Sequence, residues 1–473
     1  MERFRQIILF WIIGLVAAAC TPQERTLVVL STNDIHAKIQ RFPQLATAVK
    51  ACRDTAQVVL VDAGDRWTGN AYVDMAPISG LPIITLMNRL GYDVATLGNH
   101  EFDRGQAHLS RMIDSAAFAV VCANVVSDTC AFPQLPPYTI IERNGIRVGV
   151  VGVVTNYEGH GHPAGNAENY RGLTFPDPQE AAIACAAELR PQVDFLILLS
   201  HLGDKRDREL LARTNDYDLL IGGHTHAVLD TLFNHTTMTQ TGKDLRNVGI
   251  ATVRFCGDQV VSMKTDVISL ADYVADPDFE REVTLYYADE SLNRPVGYFA
   301  RTAKKKDLAQ WMASSIARDT KAEIGLYHIG GVRLDSIPAG GVGTAAIYNL
   351  EPFESQVAVA RMTPADLRRM IIAKYNDPIN TKEARRVDII ASIPYTIITD
   401  TADNAVDVRF PTLRENRNYR VALSDYIFKN YREMHYTEGK ISNRRVTDIL
   451  FDTLHSTSTL QLDNTPLQNV VAL

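Results

Sequence analysis

From Thr26 onward the chain repeats one pattern: a short apolar run, a burst of Asp, Asn or His, then an amphipathic stretch. The apolar runs are Leu27–Leu30, Val58–Val61, Val94–Leu97, Phe195–Leu199 and Leu219–Ile221. Their length and their Val, Ile and Leu content predict buried strands. Between them, Ile83, Met87 and Leu90 share one face of a helix predicted over Leu81–Leu90, with Gly91 as its stop. Further helices are predicted over Gln106–Ala116 and Pro178–Leu189. Strands and helices alternating in this way predict a layered α/β domain.

The polar clusters that follow the strands carry the chemistry. They are Asn33-Asp34-Ile35-His36, Ala63-Gly64-Asp65, Gly98-Asn99-His100-Glu101-Phe102-Asp103, Ser200-His201 and Gly222-Gly223-His224-Thr225-His226. In open α/β sheets ligands bind beyond the carboxyl ends of strands, so these clusters are expected to converge. Imidazole, carboxylate and amide together suit Zn, Mn, Fe or Ni rather than Mg or Ca alone. Asp34 and His36 are two residues apart, as are His224 and His226, which in extended chain would put each pair on one face. Glycines 64, 98, 222 and 223 are expected to permit tight turns beside a cation. Taken singly, each cluster is ordinary; all of them in order, at the ends of apolar runs, describe a metal site.

The 473 residues are 46% hydrophobic and 22% charged, which is globular material for two or three domains. A net charge of −7 argues against a nucleic-acid polymer as partner, so a phosphate site would draw its positive charge from metals and a few basic residues. Arg3 and Arg5 precede an apolar run, Ile7–Ala19, and Cys20 follows three alanines. This reads as a secretory signal, too short to span a membrane comfortably. The small residues before Cys20 resemble a bacterial lipobox, with Cys20 as the acylated first residue of the mature chain; simple cleavage after A-x-A is the alternative, and either means export. The other cysteines show no C-x-x-C spacing, and Cys122 and Cys130 either pair or stay free. His160 and His162 fall in a Gly- and Pro-marked loop and are expected to be mainly solvated.

These residues resemble the calcineurin-like metallophosphoesterases, and more closely the 5′-nucleotidase and UDP-sugar hydrolase branch. Asp62-Ala63-Gly64-Asp65-Arg66-Trp67-Thr68-Gly69, Cys122-Ala123-Asn124-Val125, Val148-Gly149-Val150-Val151-Gly152 and Gln240-Thr241-Gly242 support the likeness. It implies a layered β-sandwich flanked by helices, followed by a smaller α/β domain of the 5′-nucleotidase C-terminal type. It also implies two divalent cations of the Zn, Mn, Fe, Co or Ni type. Asp34, His36 and His226 would hold one, Asn99, His201 and His224 the other, with Asp65 shared and His100–Asp103 as a dyad. Glu101 is expected outside the set of direct ligands.

The expected division is a signal over 1–20, a catalytic domain over 25–270, a linker over 271–296 and a substrate-binding domain over 297–473. In the last, Leu308, Trp311, Met312 and Ile316 predict the inner face of a helix over Asp307–Thr320, and Thr363-Pro364-Ala365-Asp366 predicts a capped helix start. Gly330-Gly331-Val332-Arg333, Pro352-Phe353 and Ser424-Asp425-Tyr426 resemble the family's nucleotide-binding elements, which implies substrate contacts for Arg333, Phe353 and Tyr426. The match departs from the family at His328, at Ser355, at Leu308-Ala309-Gln310 and after Tyr426, where Gly-Gly-Asp-Gly is missing. The expected activity is hydrolysis of nucleoside 5′-monophosphates by a metal-bridging hydroxide, in an exported lipoprotein held at the membrane by its lipid, with no protein partner inferred. The alternatives are the same chemistry on a cyclic nucleotide, a nucleotide-sugar or a non-nucleotide monoester, and a non-catalytic surface protein that binds metal or ligand.

Overall fold

The strand Glu24–Thr32 pairs in parallel with Gln57–Asp62 and antiparallel with Asn247–Cys256, at the centre of a six-stranded sheet. A second six-stranded sheet runs in the order Val228–Phe233, Thr236–Thr241, Leu219–Gly222, Phe195–His201, Ile146–Val154, Tyr138–Arg143. Leu27, Val29, Val59 and Val61 from the first sheet and Val148, Val150, Phe195, Ile197 and Leu199 from the second form one buried cluster. The alternate residues Val151, Val153, Leu196 and Leu198 pack with Ala182, Ala186 and Leu189 of the helix Pro178–Leu189. These strands are therefore apolar on both faces, which is why they read as continuous runs rather than alternating ones.

The computed structural model describes residues 24–127, 132–156, 161–377, 386–431, 433–457, 459–462 and 465–473. Cys20, Cys130 and His160 lie outside them. Cys122 is buried with a free thiol. Among the described residues no helix is long and apolar enough to cross a membrane. Among the described residues two units form: 24–66 with Ile83–Ala164 and Tyr170–Val283, and Thr284–Leu473 with Trp67–Pro82 and Gly165–Asn169.

The helices Leu81–Leu90 and Gln106–Ser115 form close to their predicted bounds, but the third strand is only Val94–Ala95. The chain leaves the ladder there because Thr96 O accepts the Arg66 guanidinium (2.6 Å) and Gly98 N donates to Glu101 (2.5 Å).

The second unit is built on a five-stranded sheet, ordered Ile389–Ala391, Ile324–His328, Tyr419–Ser424, Gln356–Met362, Thr437–Arg445. The helix Lys305–Thr320 packs Leu308, Trp311, Met312 and Ile316 with Tyr327, Val357 and Ala422. The helix Pro364–Tyr375 packs Leu367, Met370 and Ile371 with Leu326, Ala358, Ala360, Val421 and Leu423. Its start is the predicted cap, with Thr363 and Asp366 each accepting the other's backbone N–H. Helix, sheet and helix thus make three layers.

The end of the short helix Thr344–Leu350 buries Glu351 completely. Its carboxylate accepts Ser355 Oγ (2.6 Å), Ser355 N (3.3 Å) and the Tyr327 hydroxyl (3.3 Å), closing the loop that carries Phe353. Burial pushes this carboxyl up from 4.5 to about 7, although the three donors pull the other way. A raised native pKa stabilises the fold fully below pH 4.5, and the contribution is lost as pH rises through about 7. Glu351→Gln should therefore gain stability relative to the parent between pH 5 and pH 8, by on the order of 3 kcal/mol. Calorimetric melting at both pH values checks this; an equal difference at the two would refute it.

Candidate metal centre

The clusters at the strand ends meet. One ligand atom each from Asp34, His36 and His226 lie within 4.8 Å of one another; so do those of His36, Asp65 and His100, and those of Asp34, Asp65 and His201. His224 Nδ1 lies 3.0 Å from Asn99 Oδ1, and its ring meets the His201 ring edge-on at 5.4 Å. His36 Nε2 and His226 Nε2 are 3.1 Å apart. His100 Nδ1 donates to Asp103 Oδ2 at 2.7 Å, and His100 N to Asp65 Oδ1 at 2.8 Å.

The expectation of extended chain through Asp34-Ile35-His36 and His224-Thr225-His226 is corrected. Asp34 (φ 50°), His36 (φ 48°), Asp65 (φ 57°), His224 (φ 75°) and His226 (φ 54°) all adopt left-handed backbone. The reason is the neighbouring loop: Asp34 N, His36 N and Ala37 N donate to the carbonyls of Gly64, Asp65 and Arg66. Gly64 is a turn glycine as expected (φ 92°), whereas Gly98 is needed for close approach: a Cβ there would lie 2.2 Å from Asp65 Oδ1.

The electrostatics call for a cation. His201 is fully buried, and its Nδ1 donates to Ala63 O at 2.7 Å, which leaves the Nε2 lone pair 3.2 Å from Asp65 Oδ2. Two electron-rich atoms at that distance need a positive charge between them. Without metal a proton serves. Burial disfavours charge on both groups, but their mutual attraction wins: Asp65 is held well below the usual carboxylate range and His201 is raised to about 10. Asp34, also fully buried, is pushed up to about 7, chiefly by burial. A divalent cation replaces that proton with more charge, so nitrogen and oxygen donors in this arrangement fit divalent metals.

Supporting residues absent from the predicted set hold the ligands. Asn33 donates to Asp34 Oδ2 (2.7 Å) and Gly242 O (2.8 Å) and accepts from Thr241 N (2.8 Å), tying the Gln240-Thr241-Gly242 loop to the first cluster. Arg66, 1% exposed, donates to Asp62 Oδ1 at 3.1 Å. A long cation directly after a ligand and beside an apolar strand was the available signal for Arg66. His162 is not grouped with the ligands; it stacks on Tyr170 at 4.4 Å.

In the second unit the Arg333 guanidinium lies 5.8 Å from the Phe353 ring centroid. Tyr426 stacks on His328 (4.8 Å, 17° between planes) and lies in the first turn of a helix, Asp425–Asn430, which runs on through the positions after Tyr426.

The calcineurin-like phosphoesterase profile matches residues 27–228, and the 5′-nucleotidase C-terminal domain profile matches 289–437. The trifunctional nucleotide phosphoesterase protein YfkN of Bacillus subtilis is 26% identical over 85% of this chain and 32% of its own. The 5′-nucleotidase of Vibrio cholerae is 29% identical over 42% of this chain and 40% of its own. The chain spans about a third of the length of two Bacillus relatives, YfkN and the endonuclease YhcR (32% and 33%). Among solved structures, a 5′-nucleotidase precursor from Thermus thermophilus superposes over 94% of this chain and 99% of its own, with a TM-score of 0.79 at 21% identity. The sulfate thiohydrolase SoxB from the same organism covers 94% and 96%, with a TM-score of 0.77 at 15% identity, and shares the fold. With both profiles present in sequence order, the chain joins a calcineurin-like phosphoesterase domain to a 5′-nucleotidase C-terminal domain.

Proposed function

We propose that the protein is a metal-dependent phosphohydrolase that converts nucleoside 5′-monophosphates to nucleoside and phosphate. The observation that carries this reading is the buried Asp65 carboxylate facing the His201 Nε2 lone pair, in a ring of nitrogen and oxygen donors from five strand ends. Asp34, His36 and His226 would hold one divalent cation and Asn99, His201 and His224 the other, with Asp65 shared. Two such cations, when bound, acidify water and clamp phosphoryl oxygens. Asp34 and Asp65 cancel only half of their charge and Asn99 cancels none, so the site stays attractive to a phosphate dianion. Asp103 accepts the His100 Nδ1–H and orients the ring, so that in the imidazolium form Nε2–H can stabilise the leaving oxygen or pass its proton to it.

Arg333 and Phe353 are assigned to the part of the substrate that does not react, and so is Tyr426. The names of the Bacillus and Vibrio relatives favour a nucleotide ester. The His328–Tyr426 stack favours a second reading, in which the same chemistry acts on a cyclic nucleotide, a nucleotide-sugar or a non-nucleotide monoester, because one face of Tyr426 is already covered. We also infer export and anchoring through an acylated Cys20, from the basic, apolar and small-residue order of residues 1–20.

Phosphate release from a panel of esters, after chelation and with Mn, Co, Zn or Mg restored, tests the chemistry. Asp65→Ala should lose at least ~100-fold in kcat/KM, and no activity with any metal would sink the enzyme reading. His100→Asn should lower kcat by roughly 10²–10⁴-fold with little change in KM. Phe353→Ala should raise KM for AMP while leaving p-nitrophenyl phosphate unaffected; an equal effect on both would support the second reading.

A further inference from the structure

Glu101 lies in the turn His100–Phe102, between two residues of the dyad motif, and is completely buried. Its Oε2 accepts the backbone N–H of Asp65 (2.8 Å) and of Gly98 (2.5 Å), and its Oε1 accepts that of Arg66 (2.8 Å). The Arg66 guanidinium lies 3.6 Å from Oε1 and is itself anchored on Asp62 Oδ1 and Thr96 O. The carboxylate thus binds two loops at once. One carries Asp65, and the other carries Asn99 and His100. The loops touch backbone to backbone, since a Cβ on Gly64 would lie 2.5 Å from Gly98 N. Across the same contact, Asp65 Oδ1 accepts His100 N, which completes a closed ring of hydrogen bonds.

A buried carboxylate satisfied by three backbone donors and a guanidinium is poorly placed to be a metal ligand, and its energy goes into holding the loops that carry ligands. We propose that Glu101 is a positioning residue: it fixes the separation of Asp65 from Asn99 and so sets how tightly the paired cations are held. This rests on the two-cation reading above. Gln keeps the shape, but its amide N–H₂ faces either the Arg66 N–H or the Asp65 and Gly98 N–H groups, so at least one of the three backbone donors loses its acceptor. Asp keeps the charge but shortens the reach.

The test titrates Mn²⁺ calorimetrically into chelator-treated full-length protein, with circular dichroism and melting temperature measured on each variant. Leu109→Ala, a core truncation in the adjacent helix Gln106–Ser115, controls for general destabilisation. Glu101→Gln and Glu101→Asp should fold, bind Mn²⁺ about 10–100-fold more weakly, and regain phosphate release at high Mn²⁺ with substrate KM unchanged. Leu109→Ala should melt lower yet keep parental Mn²⁺ affinity. Parental affinity in both Glu101 variants, a loss no larger than that of Leu109→Ala, or failure of both to fold would overturn the proposal and leave Glu101 a residue of the fold alone. Fewer than two Mn²⁺ bound by the parent would overturn the two-cation reading itself, and this assignment with it.

Discussion

Asp34 and Asp65 are among the carboxylates of the first unit buried to 2% exposure or less, and most of what surrounds these two answers that burial. Removing an unpaired carboxylate from water costs several kcal/mol, so the fold has to supply positive charge nearby. It does so with imidazoles whose outer nitrogens are committed: His201 to the Ala63 carbonyl and His100 to Asp103. Fixing one nitrogen of each ring decides what the other can do, and each ring is held in a single useful tautomer. The apolar sandwich below has the complementary task of keeping the strand ends in register, so that five separate loops arrive at one point.

The loops are tied to one another as firmly as to their own strands. The first cluster hydrogen-bonds to the carbonyls of the second, and the second meets the third at Gly98. Asn33 then joins the first cluster to the loop at Thr241. Local geometry at any one ligand is therefore set by chain that is distant in sequence.

That division explains what could be read from sequence. Strand positions, the helices Leu81–Leu90 and Pro178–Leu189, the Thr363 cap and the inward face at Leu308, Trp311 and Ile316 depend on local periodicity and capping chemistry, and all were legible. The convergence of Asp34, His36, Asp65, His100, His201 and His226 was legible because such residue types are unusual after apolar runs. Their backbone was not: periodicity suggested extended chain, while loop-to-loop hydrogen bonds impose left-handed turns. The short third strand, the burial of Arg66 and the anchoring of Glu101 each depend in part on a pairing across 30 or more residues, which no local window contains. The same holds for Trp67–Pro82, which lies within the first half of the sequence yet packs with the second unit.

The left-handed conformation at Asp34, His36, Asp65, His224 and His226 has a consequence for how such a protein would drift over generations. A side chain other than glycine held there costs on the order of 1 kcal/mol or more, least for Asp. Selection for the chemistry maintains those residues against the preference of their own backbone. In a lineage freed from that selection, the ligand positions themselves would be favoured sites for glycine or asparagine, each exchange relaxing the chain. The imprint of lost activity would then be an unstrained and more stable set of loops on an intact sandwich, and this chain, with every one of those side chains still in place, carries no such imprint.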